Sequence, residues 1–207
     1  MNAKTRIRGV YGIANAGSGR LDPVAQGAAL LEGGCRLLQL RCKDWPLDDV
    51  EVAAQELVAR CRRVGATFIV NDHPEIAAAV DADGVHVGQT DADGAAARAA
   101  IGPHRLLGRS TNAPDQVAAA LEHADYLAFG PMFDTSNLSR PKAVQGPSLL
   151  ARVRRQVPVR VPLVAIGGLT LERLPAIREA GADAWAVIGA IANAEDPVAA
   201  TRAWVAA

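Results

Sequence analysis

The sequence has few cysteines, no excess of charge of either sign and no long apolar run. Its three cysteines form no CxxC pair, which indicates a reduced protein of the cytoplasm rather than a disulfide scaffold. The 22 basic and 22 acidic side chains give a formal net charge of zero, so the basic surface typical of nucleic-acid binding is not expected. No run approaches the roughly 18–20 apolar residues of a membrane span. These absences predict a soluble cytoplasmic protein with neither a nucleic-acid nor a membrane partner.

Apolar residues are abundant and strongly patterned. They make up 50% of the 207 residues, enough to bury a large core and to exclude intrinsic disorder. Short, almost continuous apolar runs alternate with amphipathic stretches, as expected for parallel strands covered by helices on both faces. The predicted strands are Gly9–Ile13, Leu37–Arg41, Thr67–Val70, Gly84–Val87, Arg105–Leu107, Tyr126–Phe129, Leu163–Ile166 and Ala184–Ile188. The predicted helices include Leu47–Val64, Ala113–Glu122, Ser148–Gln156, Leu171–Ala180 and Pro197–Val205.

A weak internal repeat supports a regular architecture. An Ala-Asp pair is followed by a buried strand and an exit glycine at 82–88, 124–130 and 182–189. No linker divides the chain, so eight strand–helix units predict a single-domain (β/α)8 TIM barrel, an α/β fold, over residues 1–207. An open doubly wound sheet is the alternative, disfavoured because no GxGxxG motif follows the first strand.

Polar residues collect where the predicted strands end, which is where barrel enzymes carry their sites. Gln39, Arg41 and Lys43 alternate at the end of strand two and can share one face, although a solvated strand end is the alternative. Asp72 and Asp91 follow neighbouring strands and suit Mg²⁺, which takes one or two carboxylates. The alternative is that both are helix N-caps or solvated loop residues.

Two glycine-containing loops follow the last two strands. Gly167-Gly168 and Ile188-Gly189 lie where such barrels commonly bind phosphate through backbone N–H groups. A tight turn that needs glycine for conformational reasons is the alternative.

As a set, these motifs resemble the thiamine phosphate synthase family, from about Tyr11 to the C-terminus. The matching segments are Gln39-Leu40-Arg41-Cys42-Lys43, Asn71-Asp72, the run 82–91, Ala165-Ile166-Gly167-Gly168 and the run 186–191. The resemblance implies a transferase that joins a hydroxymethylpyrimidine diphosphate to a thiazole phosphate and releases diphosphate, with Mg²⁺ as cofactor. The implied partners are these small molecules, and a homo-oligomer is left open.

The resemblance also implies a role for each matching residue. Arg41 and Lys43 would neutralise the departing diphosphate, with Ser110 as a further catalytic residue. Asp72 and Asp91 would bind Mg²⁺. The pyrimidine diphosphate would be held by Gln39, Leu40, Arg41, Cys42, Lys43, Asn71 and Ser110, and the thiazole phosphate by Thr135, Ser136, Asn137, Gly168, Ile188 and Gly189.

Three positions depart from the family pattern. Leu138 replaces a diphosphate-binding lysine, and the loss of that cation would cost about 1.5–3 kcal/mol unless Arg140 or Lys142 replaces it. Gly189 replaces a serine, and Asn15 follows strand one where an aspartate is common.

These departures leave other functions open. A synthase-like paralogue with impaired or lost turnover would explain Leu138. A thiazole tautomerase is disfavoured because Asn112 occupies the position of its catalytic histidine. A sugar-phosphate epimerase would need an acid–base pair, for which only Asp72 and Asp91 are candidates.

Overall fold

The computed structural model describes residues 3–89, 93–135 and 143–207, and it confirms the predicted barrel. Eight parallel strands pair in sequence order, and the last pairs with the first to close the sheet. The strands are β1 (Gly9–Asn15), β2 (Leu37–Arg41), β3 (Thr67–Asn71), β4 (Gly84–Val87), β5 (Leu106–Thr111), β6 (Tyr126–Phe129), β7 (Leu163–Ile166) and β8 (Ala184–Val187).

Helices surround this sheet. They are α1 (Ala3–Arg6), α2 (Pro23–Glu32), α3 (Leu47–Val64), α4 (Pro74–Ala79), α5 (Gly94–Ile101), α6 (Val117–Leu121), α7 (Gly146–Arg154), α8 (Leu174–Glu179), α9 (Gly189–Ala192) and α10 (Pro197–Ala206). Short 3₁₀ turns, Pro114–Gln116 and Leu171–Arg173, precede α6 and α8. No helix in the described parts of the chain is long and apolar enough to cross a membrane.

The bounds of α3 match the prediction because local signals define both ends. Asp48 and Asp49 lie in its first turn, where negative charge favours the helix dipole. Gly65 ends the helix in the left-handed conformation, with φ 66°. By contrast, β1 and β5 extend further than predicted. Their polar ends continue the backbone ladder, so that Thr111 pairs with Phe129, whereas a prediction from apolar runs stops at the first polar residue.

The repeated aspartates have a structural role at the N-terminal ends of the strands. Asp83, Asp125 and Asp183 accept hydrogen bonds from the backbone N–H groups of Phe68, Leu107 and Leu163, at 2.7, 2.8 and 2.9 Å. Each aspartate also pairs with an arginine: Arg6, Arg98 and Arg154 respectively. These contacts join neighbouring strands at the face opposite the predicted site.

Two hydrophobic layers build the core. The outer layer lies between strands and helices, and includes Leu57, Phe68 and Val85. The inner layer fills the barrel itself, where Ile7, Tyr11 and Tyr126 are at most 1% exposed. Two tyrosines in the inner layer make the barrel interior partly polar, and this prepares the site above it.

Candidate active site

The C-terminal strand ends bring the predicted polar residues next to one another. Asn15 at the end of β1 lies in register with Arg41 at the end of β2, and Asn71 of β3 lies in register with His86 of β4. Arg41 Nη1 donates a hydrogen bond to Asn15 Oδ1, while Asn15 Nδ2 donates to Ser18 Oγ at 2.8 Å. Asn15 therefore orients the Arg41 guanidinium.

Asp72 forms an ion pair with Lys43, with 2.9 Å between Oδ2 and Nζ. Its side chain is only 12% exposed, and its backbone lies in the left-handed region, with φ 64°. The Asp72 N–H donates to the carbonyl of His86 at 2.8 Å, which holds this strained residue against β4. Asp72 is not a helix N-cap: α4 begins with His73 at that position, and no side-chain cap bond forms. Its carboxylate instead faces the cation predicted for diphosphate.

A chain of hydrogen bonds crosses the barrel interior beneath these residues. Gln39 Nε2 donates to the Tyr11 hydroxyl at 2.7 Å, and that hydroxyl lies 2.9 Å from the Tyr126 hydroxyl. The Tyr126 hydroxyl lies 3.1 Å from His86 Nδ1, and His86 Nε2 lies 2.8 Å from Ser110 Oγ. We call these five side chains the interior relay. It links two residues that the sequence predicts to bind the pyrimidine diphosphate.

The donor at one end fixes the direction of the first bond in the interior relay. An amide nitrogen can only donate, so the Tyr11 hydroxyl accepts from Gln39. Either tyrosine hydroxyl can donate to the other, and the roles of the two His86 nitrogens depend on the tautomer of the imidazole. In the tautomer with its proton on Nε2, His86 donates to Ser110 Oγ, and the Ser110 hydroxyl proton is then directed elsewhere.

Burial keeps both tyrosines of the interior relay protonated. It raises the pKa of Tyr11, and it raises the pKa of Tyr126 well above the usual value, with the neighbouring Tyr11 contributing further. The two phenols therefore act as neutral hydrogen-bonding groups throughout the physiological pH range. Neither tyrosine could be selected from the apolar run in which it lies. Only the alternation of inward-facing and outward-facing positions along a strand indicates that both hydroxyls face the barrel interior.

Leu40 and Cys42 lie between the inward-facing residues of β2 and its exit loop. Both side chains are buried in the outer hydrophobic layer, at 1% and 4% exposure. Only their backbone groups are therefore suitably placed for a ligand at the barrel mouth. Asn71, by contrast, is a buried polar residue at the end of β3, beside Asp72.

A cavity lies beside the ends of β7 and β8. It has a volume of about 360 Å³, and the predicted thiazole-phosphate residues Thr135, Gly168, Ile188 and Gly189 all line it. Gly168 has φ 63°, and a Cβ there would lie 2.4 Å from the carbonyl oxygen of Asp134. Glycine is thus required both by conformation and by close approach, so the tight-turn and ligand interpretations of Gly167-Gly168 are compatible.

Arg173 also lines this cavity, and the sequence analysis did not select it. Its Nη1 donates to the Gly168 carbonyl at 2.6 Å, and its guanidinium carbon lies 4.4 Å from the centroid of the Phe133 ring. It follows the glycine pair by five residues in an exposed 3₁₀ turn, where an arginine ordinarily attracts no attention.

Several predicted residues lie outside the described ranges. They are Asp91, Ser136, Asn137, Leu138, Arg140 and Lys142. Within the described ranges, no group of three or more His, Cys, Asp or Glu side chains could hold a metal ion. Asp72 supplies one carboxylate beside a cationic strand end, and this fits Mg²⁺, which requires only one or two protein carboxylates when phosphate and water complete its ligands.

Comparisons with known proteins show the family to which the chain is similar. The family model for thiamine monophosphate synthase matches residues 10–191. The thiamine-phosphate synthase of Geobacillus kaustophilus is 45% identical over 177 residues, which are 84% of this chain and 79% of that protein. That of Aromatoleum aromaticum is 41% identical over 203 residues, 97% of this chain and 96% of its own.

A solved structure extends the comparison to three dimensions. The thiamine phosphate pyrophosphorylase of Pyrococcus furiosus superposes with a TM-score of 0.88 at 30% identity, and the match covers 98% of this chain and 96% of that one. The family model and the two relatives cover the strand ends on which the candidate site is built. The chain belongs to the thiamine monophosphate synthase family.

Proposed function

We propose that this protein joins 4-amino-2-methyl-5-(diphosphooxymethyl)pyrimidine to 4-methyl-5-(2-phosphooxyethyl)thiazole, or its carboxylated form, giving thiamine phosphate and diphosphate, with carbon dioxide as a third product from the carboxylated form. The observation that carries the proposal is the cluster of Arg41, Lys43 and Asp72 at adjoining strand ends, in a chain of this family. The proposed binding partners are these two small-molecule substrates. A cytoplasmic location belongs to the same proposal, supported by three free, buried cysteines.

The reaction needs charge neutralisation rather than a protein nucleophile. The bond between the pyrimidine methylene carbon and the diphosphate oxygen breaks, and its electron pair leaves with diphosphate. The aminopyrimidine stabilises the resulting cation, and the thiazole nitrogen supplies the electron pair of the new C–N bond. Arg41 and Lys43 stabilise the negative charge that develops on the leaving group. With the non-carboxylated thiazole, neither breaking the C–O bond nor forming the C–N bond requires a proton transfer, whereas the carboxylated form must also lose carbon dioxide.

The interior relay suits the pyrimidine end of this reaction. Gln39 and Ser110 lie at its two ends, and the relay orients both before a ligand arrives. When His86 carries its proton on Nε2, the Ser110 hydroxyl can donate to a pyrimidine nitrogen or a diphosphate oxygen. Fixed donors cost less reorganisation in the transition state than mobile ones.

Mg²⁺ is proposed as the cofactor, with Asp72 and Asp91 as its protein ligands. Bound Mg²⁺ would offset the charge of the diphosphate group as it leaves. Asp72 already has its carboxylate directed to the strand ends, where Lys43 holds it. With Asp72 as a metal ligand, Lys43 would hold a diphosphate oxygen.

The proposal is tested with purified protein, both precursors and Mg²⁺, by measuring thiamine phosphate and diphosphate together. We expect the two products in equal amounts. Absence of both at high enzyme concentration would refute the synthase assignment. Omission of either precursor serves as the control, because diphosphate released without thiazole would indicate simple hydrolysis.

A paralogue that binds the precursors without turnover is the second candidate, and Leu138 is the feature that favours it. In that case, the precursors would bind in a calorimeter while no product forms. A tautomerase is less well supported. Asn112 carries no titratable proton, and its Nδ2 donates to the carbonyl of Gly130 at 2.8 Å.

A further inference from the structure

The cavity beside β7 and β8 contains a cation that the family resemblance does not assign. Among its described lining residues, Arg173 is the one positively charged side chain and Asp134 the one negatively charged side chain. The remainder are apolar residues, glycines and small polar groups. Among the described lining residues, only Arg173 can therefore offer a positive charge to a phosphate bound in this cavity.

Two contacts orient the Arg173 guanidinium over the glycine loop. It stacks on Phe133, and it donates one hydrogen bond to the Gly168 carbonyl. Phe133 is itself fixed, because its N–H donates to the carbonyl of Gly167 at 3.0 Å. A guanidinium has five N–H donors, so it retains donors for an anion after the Gly168 bond forms.

We propose that Arg173 is a binding and specificity residue of the thiazole subsite, where it pairs with the phosphate group and so favours the phosphorylated thiazole over the free alcohol. The inference rests on the proposed function for the identity of the ligand. Gly167 and Gly168 line the same cavity as Arg173, and Arg173 supplies the positive charge that backbone groups do not carry. The negative charge of Asp134 opposes that of Arg173, so the affinity for phosphate depends on both side chains.

The test compares Arg173→Gln with a matched control on the next helix. Arg178 of α8 also stacks on an aromatic ring, that of Trp185, and also donates to a backbone carbonyl, that of Ala207, but it does not line the cavity. Arg178→Gln therefore removes the same kinds of contact away from the ligand. Thermal unfolding of each variant verifies that it is folded.

Calorimetry without the pyrimidine substrate measures binding of the thiazole phosphate and of the unphosphorylated thiazole alcohol. We expect Arg173→Gln to weaken thiazole phosphate binding about tenfold, or about 1.4 kcal/mol, and to leave alcohol binding unchanged. Arg173→Lys should retain part of the affinity, since it keeps the charge but loses the planar donors. Asp134→Asn should strengthen phosphate binding, and Arg178→Gln should change neither ligand.

Two results overturn the inference: equal losses for phosphate and alcohol, which would mean a packing role, or phosphate affinity unchanged in Arg173→Gln. Activity separates this from the proposed function. If the protein makes thiamine phosphate but Arg173→Gln binds thiazole phosphate as tightly as the unchanged protein, the role of Arg173 is refuted and the synthase function stands. A tenfold loss of phosphate affinity, in a protein that makes no thiamine phosphate, supports Arg173 and refutes the synthase assignment.

Discussion

The interior relay predicts that Tyr126→Phe is costly to stability and to activity, although it removes a single oxygen atom. That hydroxyl contacts Tyr11 at 2.9 Å and His86 Nδ1 at 3.1 Å, and both partners lie in the barrel interior. A buried group left without its hydrogen bond costs about 1–3 kcal/mol. With two such groups, we expect a loss of about 3 kcal/mol and, at this chain length, a fall in Tm of roughly 6–12 °C.

Tyr11→Phe is the matched control, because it removes an equivalent hydroxyl one step further from Ser110. It leaves Gln39 without its acceptor but preserves the contact between Tyr126 and His86. Both variants should lose stability in urea unfolding. If Tyr126 donates to His86 Nδ1 in the unchanged protein, Tyr126→Phe alone should also lower kcat markedly, because His86 can then place its proton on Nδ1 and accept from Ser110.

A double-mutant cycle makes the reasoning refutable. If the two hydroxyls are bonded, the loss for the double variant should differ from the sum of the single losses by about 0.5–1.5 kcal/mol. Additive losses, or a loss below about 0.5 kcal/mol for Tyr126→Phe, would show that the interior relay does not operate in solution. Equal kcat values for the two single variants would refute the role assigned to His86.

Three further predictions follow from the site and the core. Asp72→Asn should lower kcat more than tenfold and raise the Mg²⁺ concentration needed for half-maximal rate. Glu56→Gln, on the outer face, should change neither quantity. An unchanged Mg²⁺ dependence in Asp72→Asn would contradict the assignment of Asp72 as a metal ligand. Leu138→Lys should raise kcat/KM for the pyrimidine diphosphate about ten- to hundredfold if the missing cation limits the rate, and an unchanged value would mean that other groups already neutralise the diphosphate. Burial raises the pKa of Cys42 to about 11 and that of Cys61 to about 12, so thiolate is scarce at pH 8 and increases only towards pH 11. A thiol reagent should therefore react slowly with the native protein at pH 8, and with all three cysteines after denaturation. Rapid labelling of the native protein would contradict this burial.

Local patterns in the sequence are sufficient for the order and type of the structural elements. A strand covered on both faces must be apolar at nearly every position, and for this reason the runs around Phe68 and Leu163 are recognisable without knowledge of their neighbours. The α3 helix is bounded by its own charges and by Gly65. Once the units number eight, barrel closure implies that polar residues at the strand ends meet, and this is how Arg41, Lys43 and Asp72 were selected.

The barrel, the resemblance to the family and the polar residues at the strand ends could be predicted from the amino-acid sequence, because they depend on short-range periodicity and on contiguous motifs. The three-dimensional structure was needed to show that Tyr11 contacts Tyr126, 115 residues away in the chain, across the barrel interior. It also placed Asp72 against Lys43 in a left-handed conformation and stacked Arg173 on Phe133 over the glycine loop. Such contacts depend on strand register and loop path, which arise from packing of the whole chain and leave no local pattern in the sequence.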